Sequence, residues 1–206
     1  RRNIEFHYDL GNDFYQAWLD ESMTYSSGLF AEPDHSAEAL ETAQHRKMEA
    51  LLARLKLSDG DRLLEIGCGW GGLAEVALRA HNIHYHGITL SSEQKVYADK
   101  RLAGLGDASV TLTDYRDVSG PYDAIASVEM VEAVGQQYWP DYLKSVARCL
   151  KRGGRAAIQY IRIEDDVFES YARGTDFIQH YIFPGGMLLS ESRFRAIAAD
   201  CGLSWE

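Results

Sequence analysis

The most constraining feature of this chain is an apolar run that ends in an acid and breaks into a glycine-rich turn, over residues 63–72. Leu64 and Ile66 flank Glu65, and four glycines follow within the next six residues. Glycine lets the backbone approach a ligand without a Cβ in the way, and a helix that starts there offers its N-terminal N–H groups. The pattern predicts the first strand and the ligand loop of an α/β protein.

Two kinds of nucleotide-like ligand use such a loop. Gly67, Gly69 and Gly72 satisfy the dinucleotide fingerprint. An NAD site, however, needs an acid for the ribose about 20 residues further on, and residues 87–91 contain no carboxylate. The acid stands instead at Glu65, two residues ahead of the loop, as is usual in methyltransferases that use S-adenosylmethionine (SAM). The sequence favours SAM over NAD, and a tight turn without a ligand is the third interpretation.

Size and charge limit the other classes of function. With 206 residues, of which 46% are apolar, the chain suits one domain with a substantial core. A net charge of −10 argues against a nucleic-acid partner. The three cysteines have no metal-ligand spacing, the first residues given lack the pattern of a signal peptide, and no run of 18 apolar residues occurs. We expect a cytoplasmic protein without a bound metal.

Hydrophobic periodicity predicts alternating strands and helices. The predicted strands are 62–66, 83–88, 109–113, 123–128 and 155–163, and the predicted helices are 12–20, 36–57, 70–80, 91–104, 136–150, 164–173 and 190–201. Ser36 is the expected N-cap of the second helix, and Gly153 and Gly154 indicate a turn before the fifth strand. The alternation predicts a Rossmann-like, mostly parallel sheet with helices on both faces.

We divide this single domain into three parts. Residues 1–57 form a helical cap, 58–163 the SAM-binding core and 164–206 helices that cover a substrate. The last strands of such a sheet are expected beyond Glu206. On the second helix Arg46, Lys47, Arg54 and Lys56 indicate either a solvated face or a patch for anionic lipid headgroups.

Polar side chains follow the second and third strands, where a parallel sheet binds its ligand. Thr89 and Gln94 are candidate partners of the ribose or the carboxylate of SAM, although Ser91 and Gln94 also form a capping-box pattern. Tyr115 and Arg116 stand where methyltransferases enclose the adenine, with a place in the core as the alternative for the tyrosine.

Two acids, Glu129 and Glu132, follow the fourth strand. Their i, i+3 spacing places both on one side of the next turn, facing the cleft. Carboxylates at the active end of a strand are costly to bury without a function. Ordinary acids at a helix N-terminus are the alternative interpretation.

Six segments, in order along the chain, resemble cyclopropane-fatty-acyl-phospholipid synthases and the related mycolic acid methyltransferases. They are residues 7–15, 23–28, 65–72, 114–117, the segment around Glu132, and 181–186. The resemblance implies transfer of the SAM methyl group to the cis double bond of a phospholipid acyl chain. A carbocation forms, and loss of a proton from the new methyl group closes a cyclopropane ring. Bicarbonate is the base in that family.

The bicarbonate ligands of the family are a cysteine, a glutamate, a histidine, a tyrosine and a backbone N–H. By position the glutamate is Glu132, while Ser27 replaces the cysteine and Gln159 replaces the histidine. The tyrosine belongs to a segment beyond this chain. Serine and glutamine can both donate hydrogen bonds to an anion. Because the imidazole is missing, we expect either a cyclopropane product or a methyl-branched or methylene-bearing one.

The predicted catalytic residues are therefore Glu132, Ser27 and Gln159. The predicted SAM site consists of Tyr25, Ser26, Glu65, Gly67, Gly69, Thr89, Gln94, Tyr115, Arg116 and Val128. The expected partners are unsaturated phospholipid acyl chains at the inner face of the membrane, and a homodimer is compatible with the sequence. Two alternatives stay open: a SAM-dependent methyltransferase for a small amine or natural product, like the plant alkaloid N-methyltransferases, and a non-catalytic SAM- or lipid-binding module.

Aromatic residues are concentrated in the segments expected to roof the cleft. They are Phe6, Tyr8, Phe14, Tyr15, Trp18, Tyr25, Phe30, Tyr181 and Phe183. As a group they suit an acyl tunnel, since a carbocation must be kept dry and faced by π-systems or an anion. For each one singly, a place in the structural core is the alternative.

Overall fold

A five-stranded parallel sheet forms the centre of the computed structural model, which describes residues 11–32, 38–175, 177–183 and 185–206. The strands are β1 (Arg62–Ile66), β2 (His84–Thr89), β3 (Asp107–Leu112), β4 (Tyr122–Val128) and β5 (Leu150–Gln159). Their spatial order is β3-β2-β1-β4-β5. The order reverses between β1 and β4, so the carboxyl ends of these two strands flank the crevice where such sheets bind ligands.

Helices cover both faces of the sheet. They are α1 (Asn12–Gln16), α2 (Leu40–Leu55), α3 (Gly72–Ala80), α4 (Ser92–Leu102), α5 (Trp139–Cys149), α6 (Asp165–Arg173) and α7 (Glu191–Asp200). Short 3-10 helices span Val131–Val134 and Gln136–Tyr138, a π-helix spans Ile178–Ile182, and β6 (Arg162–Ile163) pairs with β7 (Leu189–Ser190). Successive side chains of a strand point to opposite faces. Leu63 therefore packs with α2, α3 and α4, and Leu64 packs with α5 and α7.

The predicted Rossmann-like fold is confirmed, with local differences. Strand β5 begins at Leu150, so the predicted turn at Gly153 is a bulge inside the strand rather than a helix cap. The pairing of β4 with β5 jumps there, from Tyr122 opposite Leu150 to Ala124 opposite Arg155. The predicted strand 155–163 is interrupted after Gln159, and the predicted helix 12–20 ends at Gln16.

Three sequence-based expectations lie outside the described residues. They concern the N-cap at Ser36, the aromatic side chains of Phe6 and Tyr8, and the first part of the segment 7–15. The division into a cap, a core and covering helices stays a prediction. No helix in the described part of the chain is long and apolar enough to cross a membrane.

Candidate active site

A cavity of about 1010 Å³ opens at the carboxyl ends of β1 and β4. Among the predicted site residues, Tyr25, Ser26, Glu65, Gly67, Gly69, Gln94, Val128 and Glu132 line it. Most of the remaining wall is apolar or aromatic, with Met23, Trp70, Tyr138, Ile178 and Phe183 among the lining side chains. A largely apolar cavity with a few convergent polar groups is the usual form of a ligand site.

The glycine loop borders this cavity directly. The N–H groups of Gly67 and Cys68 both donate to the carbonyl of Ile88, 3.0 Å away, which fixes the loop to β2. Gly69 has φ +53°, and a Cβ built there would meet nothing within 4 Å. The loop therefore leaves open space beside its backbone, as a bound nucleotide-like molecule requires.

Glu65 lies at the base of the loop and is only 3% exposed. The hydroxyl of Tyr85 donates a hydrogen bond to its carboxylate over 2.5 Å. Burial raises the pKa of Glu65 to about 8, against the opposite effect of the Tyr85 hydrogen bond. Gly87 makes this contact possible, because a Cβ there would stand 2.6 Å from the Tyr85 hydroxyl oxygen. Sequence reasoning missed Tyr85, which no local pattern marks.

Lys47 of α2 lies in the cavity wall and is 7% exposed, which corrects the expectation of a solvated or lipid-facing residue. Its ammonium group donates to the hydroxyl of Ser26. Gln44, one turn earlier, donates to the carbonyls of Thr24 and Ser26 at 2.9 and 2.8 Å. Burial lowers the pKa of Lys47 to about 8, and the charge of Glu129 opposes that shift.

Glu129 is the centre of the polar contacts at the other side of the cavity. Its carboxylate accepts hydrogen bonds from the Ser27 N–H at 2.9 Å, the Ser27 hydroxyl at 2.7 Å and the Gln159 side chain at 3.1 Å. Ser27 and Gln159 were expected to act beside Glu132, so this is a correction. The reason is the backbone at Glu129, whose φ of +47° turns the side chain towards β5 and residues 26–27.

Glu132 lies in the 3-10 helix Val131–Val134. It contacts the segment that follows β5 separately from Glu129. One carboxylate oxygen accepts a hydrogen bond from the Ile161 N–H at 2.5 Å. The other oxygen, Oε2, is buried and has no hydrogen-bond partner. Burial raises the pKa of Glu132 to about 7, against the effect of the Ile161 hydrogen bond. The site thus contains a second carboxylate with a free acceptor oxygen.

The residues present do not fit a separate bicarbonate ion. Ser27 and Gln159 already donate to Glu129, and the Ile161 N–H donates to Glu132. An additional anion would meet two carboxylates, and the donors expected to hold it are already engaged. No group of three or more His, Cys, Asp or Glu side chains in the described residues could hold a metal ion.

Three predicted cofactor contacts lie away from the cavity wall. The hydroxyl of Thr89 donates to Gln94 Oε1 at 2.8 Å, so Thr89 supports a lining residue from behind. Tyr115 packs edge-on against Tyr142, and Arg116 pairs with Asp114. Only half of the capping box forms, because Ser91 accepts from the N–H of Gln94 while the Gln94 side chain bonds to Thr89. The cofactor roles of these side chains stay predictions.

The aromatic roof is only partly assembled from the residues expected. Tyr25 and Phe183 line the cavity with ring centroids 6.3 Å apart. Tyr15 is buried against Trp70 of the glycine loop, with centroids 4.9 Å apart. Phe14, Trp18 and Tyr181 are exposed, and Phe30 does not line the cavity.

Comparison with known proteins identifies the family. The family model described as mycolic acid cyclopropane synthetase matches residues 1–206. The chain belongs to this family. It is 43% identical over 197 residues to the tuberculostearic acid methyltransferase UfaA1 of Mycobacterium tuberculosis, covering 92% of this chain and 46% of the relative.

A second relative and a solved structure agree with the family match. The cyclopropane-fatty-acyl-phospholipid synthase of Escherichia coli K12 is 38% identical over 184 residues, covering 89% of this chain and 46% of that protein. The mycolic acid cyclopropane synthase CmaA1, in complex with SAH and CTAB, superimposes with a TM-score of 0.85 at 28% identity and covers 98% of this chain and 74% of that one. The chain spans about half the length of these curated relatives.

These matches confirm the predicted family, whose matched relatives are named as methyltransferases and cyclopropane synthases, together with the predicted fold and SAM as the cofactor. The fit of SAM to the cavity agrees with the geometry. The open space beside Gly69 and the buried carboxyl group of Glu65 are both features that a nucleoside with a charged amino-acid end requires.

Proposed function

We propose that the chain binds SAM beside the glycine loop and methylates the cis double bond of an unsaturated phospholipid acyl chain, giving a cyclopropane or methyl-branched product. One observation carries the proposal: a largely apolar cavity holds a buried carboxylate, Glu132, with an unpaired oxygen. Such a wall suits an acyl chain better than a polar amine, and its free acceptor suits the removal of a proton.

The cofactor would be held by the lining residues Glu65, Gly67, Gly69 and Gln94. Bound there, SAM supplies an electrophilic methyl group that an alkene can attack. Tyr25 and Ser26 border the same space from the loop that α2 holds. The backbone of the glycine loop, fixed to β2 by two hydrogen bonds, keeps the binding surface ordered before the ligand arrives.

A methylated alkene carries a positive charge that the chain must shelter from water. Tyr25, Tyr138 and Phe183 offer ring faces or edges to the cavity, and π-systems attract cations. Glu129 also lines it and provides a negative charge fixed by three hydrogen bonds. A preorganised anion opposite a developing cation stabilises it without reorganisation of water.

The final proton is accepted by Glu132 in this proposal. Its Oε2 has no competing hydrogen bond, and its pKa of about 7 makes it a better base than an ordinary glutamate while much of it is still ionised at neutral pH. Loss of a proton from the added methyl group, with the C–H electron pair closing onto the cationic carbon, gives the ring. Loss of a proton from a neighbouring chain carbon gives instead a double bond beside a methyl branch. A methylene group forms when a 1,2-hydride shift first moves the cation to the carbon that carries the new methyl group, which then loses its proton.

Access for the acyl chain is proposed through an aromatic rim beside the π-helix. Phe177 and Tyr181 are 65% and 68% exposed, and their rings lie 5.0 Å apart. Ile178 continues this surface into the cavity wall. Exposed aromatic and apolar side chains that lead into a cavity suit contact with a lipid surface, so we propose peripheral association with a membrane.

Mass spectrometry of phospholipid acyl chains tests the function. The chain is incubated with SAM and vesicles of cis-monounsaturated phospholipid, and the acyl chains are expected to gain the mass of one methylene group. Saturated vesicles are the matched control and should stay unchanged. SAM binding without its consumption would indicate a non-catalytic module. Methylation of added small amines with untouched lipids would indicate the small-molecule enzyme.

A further inference from the structure

Lys47 is a buried cation whose nearest charge is Glu129, beyond the distance of an ion pair. Its side chain lines the cavity, it is 7% exposed, and its hydrogen bond goes to the neutral hydroxyl of Ser26. Among the residues that the structure describes, no carboxylate oxygen lies within 4.0 Å of its ammonium nitrogen. Burying an unpaired charge is costly. An ammonium group has three donors, so this position suits an anionic ligand.

The start of α3 adds a second positive feature at the same place. Gly72 is the first residue of this nine-residue helix, and Gly71 provides no side-chain cap. A Cβ on Gly72 would lie 3.3 Å from both Met48 Cε and Thr24 Oγ1. The residue after Lys47 and the loop that carries Ser26 therefore pack on the N-terminus of α3. Free N–H groups and the helix dipole favour an anion there.

We infer that Lys47 binds the α-carboxylate of the methionine end of SAM, an assignment that rests on the proposed use of this cavity for SAM. The amino-acid end of SAM carries one negative and one positive group. The cavity offers both matching groups, because the Lys47 ammonium and the buried Glu65 carboxyl group line it together.

A phospholipid phosphate is a less suitable anion for this position. Met48, the residue after Lys47, packs on Gly72 of the glycine loop, whereas the aromatic rim proposed for lipid access lies at the π-helix. A phosphate is strongly hydrated and stays at the membrane surface, while the acyl chain enters the cavity. The carboxylate of SAM enters the cavity with the rest of the cofactor, so a hydrated phosphate does not have to be stripped of water.

Calorimetry with three ligands tests the inference on the whole chain. The ligands are S-adenosylhomocysteine, its decarboxylated analogue and 5′-methylthioadenosine, which lacks the amino-acid end altogether. Lys47→Met should weaken S-adenosylhomocysteine binding by about 10- to 100-fold, the range for a charge-assisted hydrogen bond in a buried site. Binding of the other two ligands should not change. Lys47→Arg should restore part of the affinity.

The controls separate this contact from general damage. Arg54→Met, on the same helix, removes a cation whose contact is the carbonyl of Ala50, and should leave all three affinities unchanged. The decarboxylated analogue should bind the unmodified chain about 10- to 100-fold more weakly than S-adenosylhomocysteine does. That comparison needs no variant, so it holds even if Lys47→Met fails to fold.

Two results would overturn the inference, and they are distinguishable. If Lys47→Met binds S-adenosylhomocysteine as well as the unmodified chain and only turnover falls, Lys47 acts on Glu129 rather than on the cofactor. If the unmodified chain binds neither S-adenosylhomocysteine nor 5′-methylthioadenosine, the cavity is not a SAM site, and the proposed function fails with the inference.

Discussion

The two sides of the cavity are built differently. The cofactor wall, defined by Glu65, the glycine loop and Lys47, rests on β1, α2 and the start of α3. The acid wall, defined by Glu129, Glu132, Ser27 and Gln159, is assembled from loops and the ends of β4 and β5. Its hydrogen bonds join residues 102, 30 and 29 positions apart.

This difference separates binding from chemistry. On the cofactor wall a buried carboxyl group and a buried ammonium group line the space proposed for the amino-acid end of SAM. On the acid wall two carboxylates face the same cavity, and a cationic species is the natural partner of that arrangement. Variants on one wall should therefore change affinity, and variants on the other should change turnover.

Glu132→Gln is expected to have the largest effect. The amide keeps the shape of the side chain and cannot accept the proton, so turnover should fall by about 10³-fold, within the range for general base catalysis. Stopped assays of methylated acyl chains measure the loss, and calorimetry with S-adenosylhomocysteine should show unchanged binding. Equal loss of binding and turnover would place Glu132 on the cofactor side.

Glu129→Gln should have the next largest effect. Removing the fixed negative charge that faces the developing cation should lower turnover by about 10²-fold. Gln keeps an acceptor oxygen for Ser27, so the fold should be maintained and cofactor affinity unchanged. Ser27→Ala removes only the hydroxyl donor and is the matched milder variant. A larger loss in Ser27→Ala than in Glu129→Gln would contradict the role given to the carboxylate.

The pH dependence of turnover should follow Glu132. A base acts in its ionised form, and burial raises the pKa of Glu132 to about 7. Turnover should therefore fall as the pH drops through 7, by about tenfold per unit once the group is mostly protonated. Rates with saturating SAM between pH 5 and pH 9 measure the profile. The residual rate of Glu132→Gln should be flat over the same interval.

Gly87→Ala is expected to have the smallest effect on turnover and to act through stability. The new Cβ would stand 2.6 Å from the Tyr85 hydroxyl oxygen and 3.0 Å from Cys68, so the contact of Tyr85 with Glu65 must shift. Overpacking of this kind lowers the free energy of unfolding by about 1–3 kcal/mol. Gly174→Ala, whose Cβ makes only ordinary contacts, is the control for urea denaturation. If the two variants have the same free energy of unfolding, the close packing of Gly87 against Tyr85 is refuted.

The cofactor wall was the more predictable of the two. The apolar run before the glycine loop, together with the alternation of strands and helices, predicted the sheet, the loop and the place of Glu65. These features depend on residues close together in the chain. Lys47 was misjudged because the buried face of α2 depends on what packs against it, and Lys47 follows a second basic residue, Arg46, in the sequence.

The acid wall could be predicted only in part. The spacing of Glu129 and Glu132 pointed to a pair of carboxylates in the cleft, and both line the cavity. Their partners could not be assigned, because the left-handed backbone at Glu129 has no signal in a residue that is neither glycine nor asparagine. Tyr85 was missed for a related reason, since its contact with Glu65 depends on the packing of adjacent strands.

One helix and one short loop connect the two walls. Lys47 binds the hydroxyl of Ser26, and the next residue, Ser27, binds Glu129. Gly28 packs so closely on α2 that a Cβ there would stand 2.8 Å from Ala43 Cβ, which leaves the loop little freedom. A movement of Ser26 caused by an arriving cofactor would reach the carboxylate through a single peptide unit. The shape of the acid wall is therefore tied to that of the cofactor wall through adjacent residues of one loop.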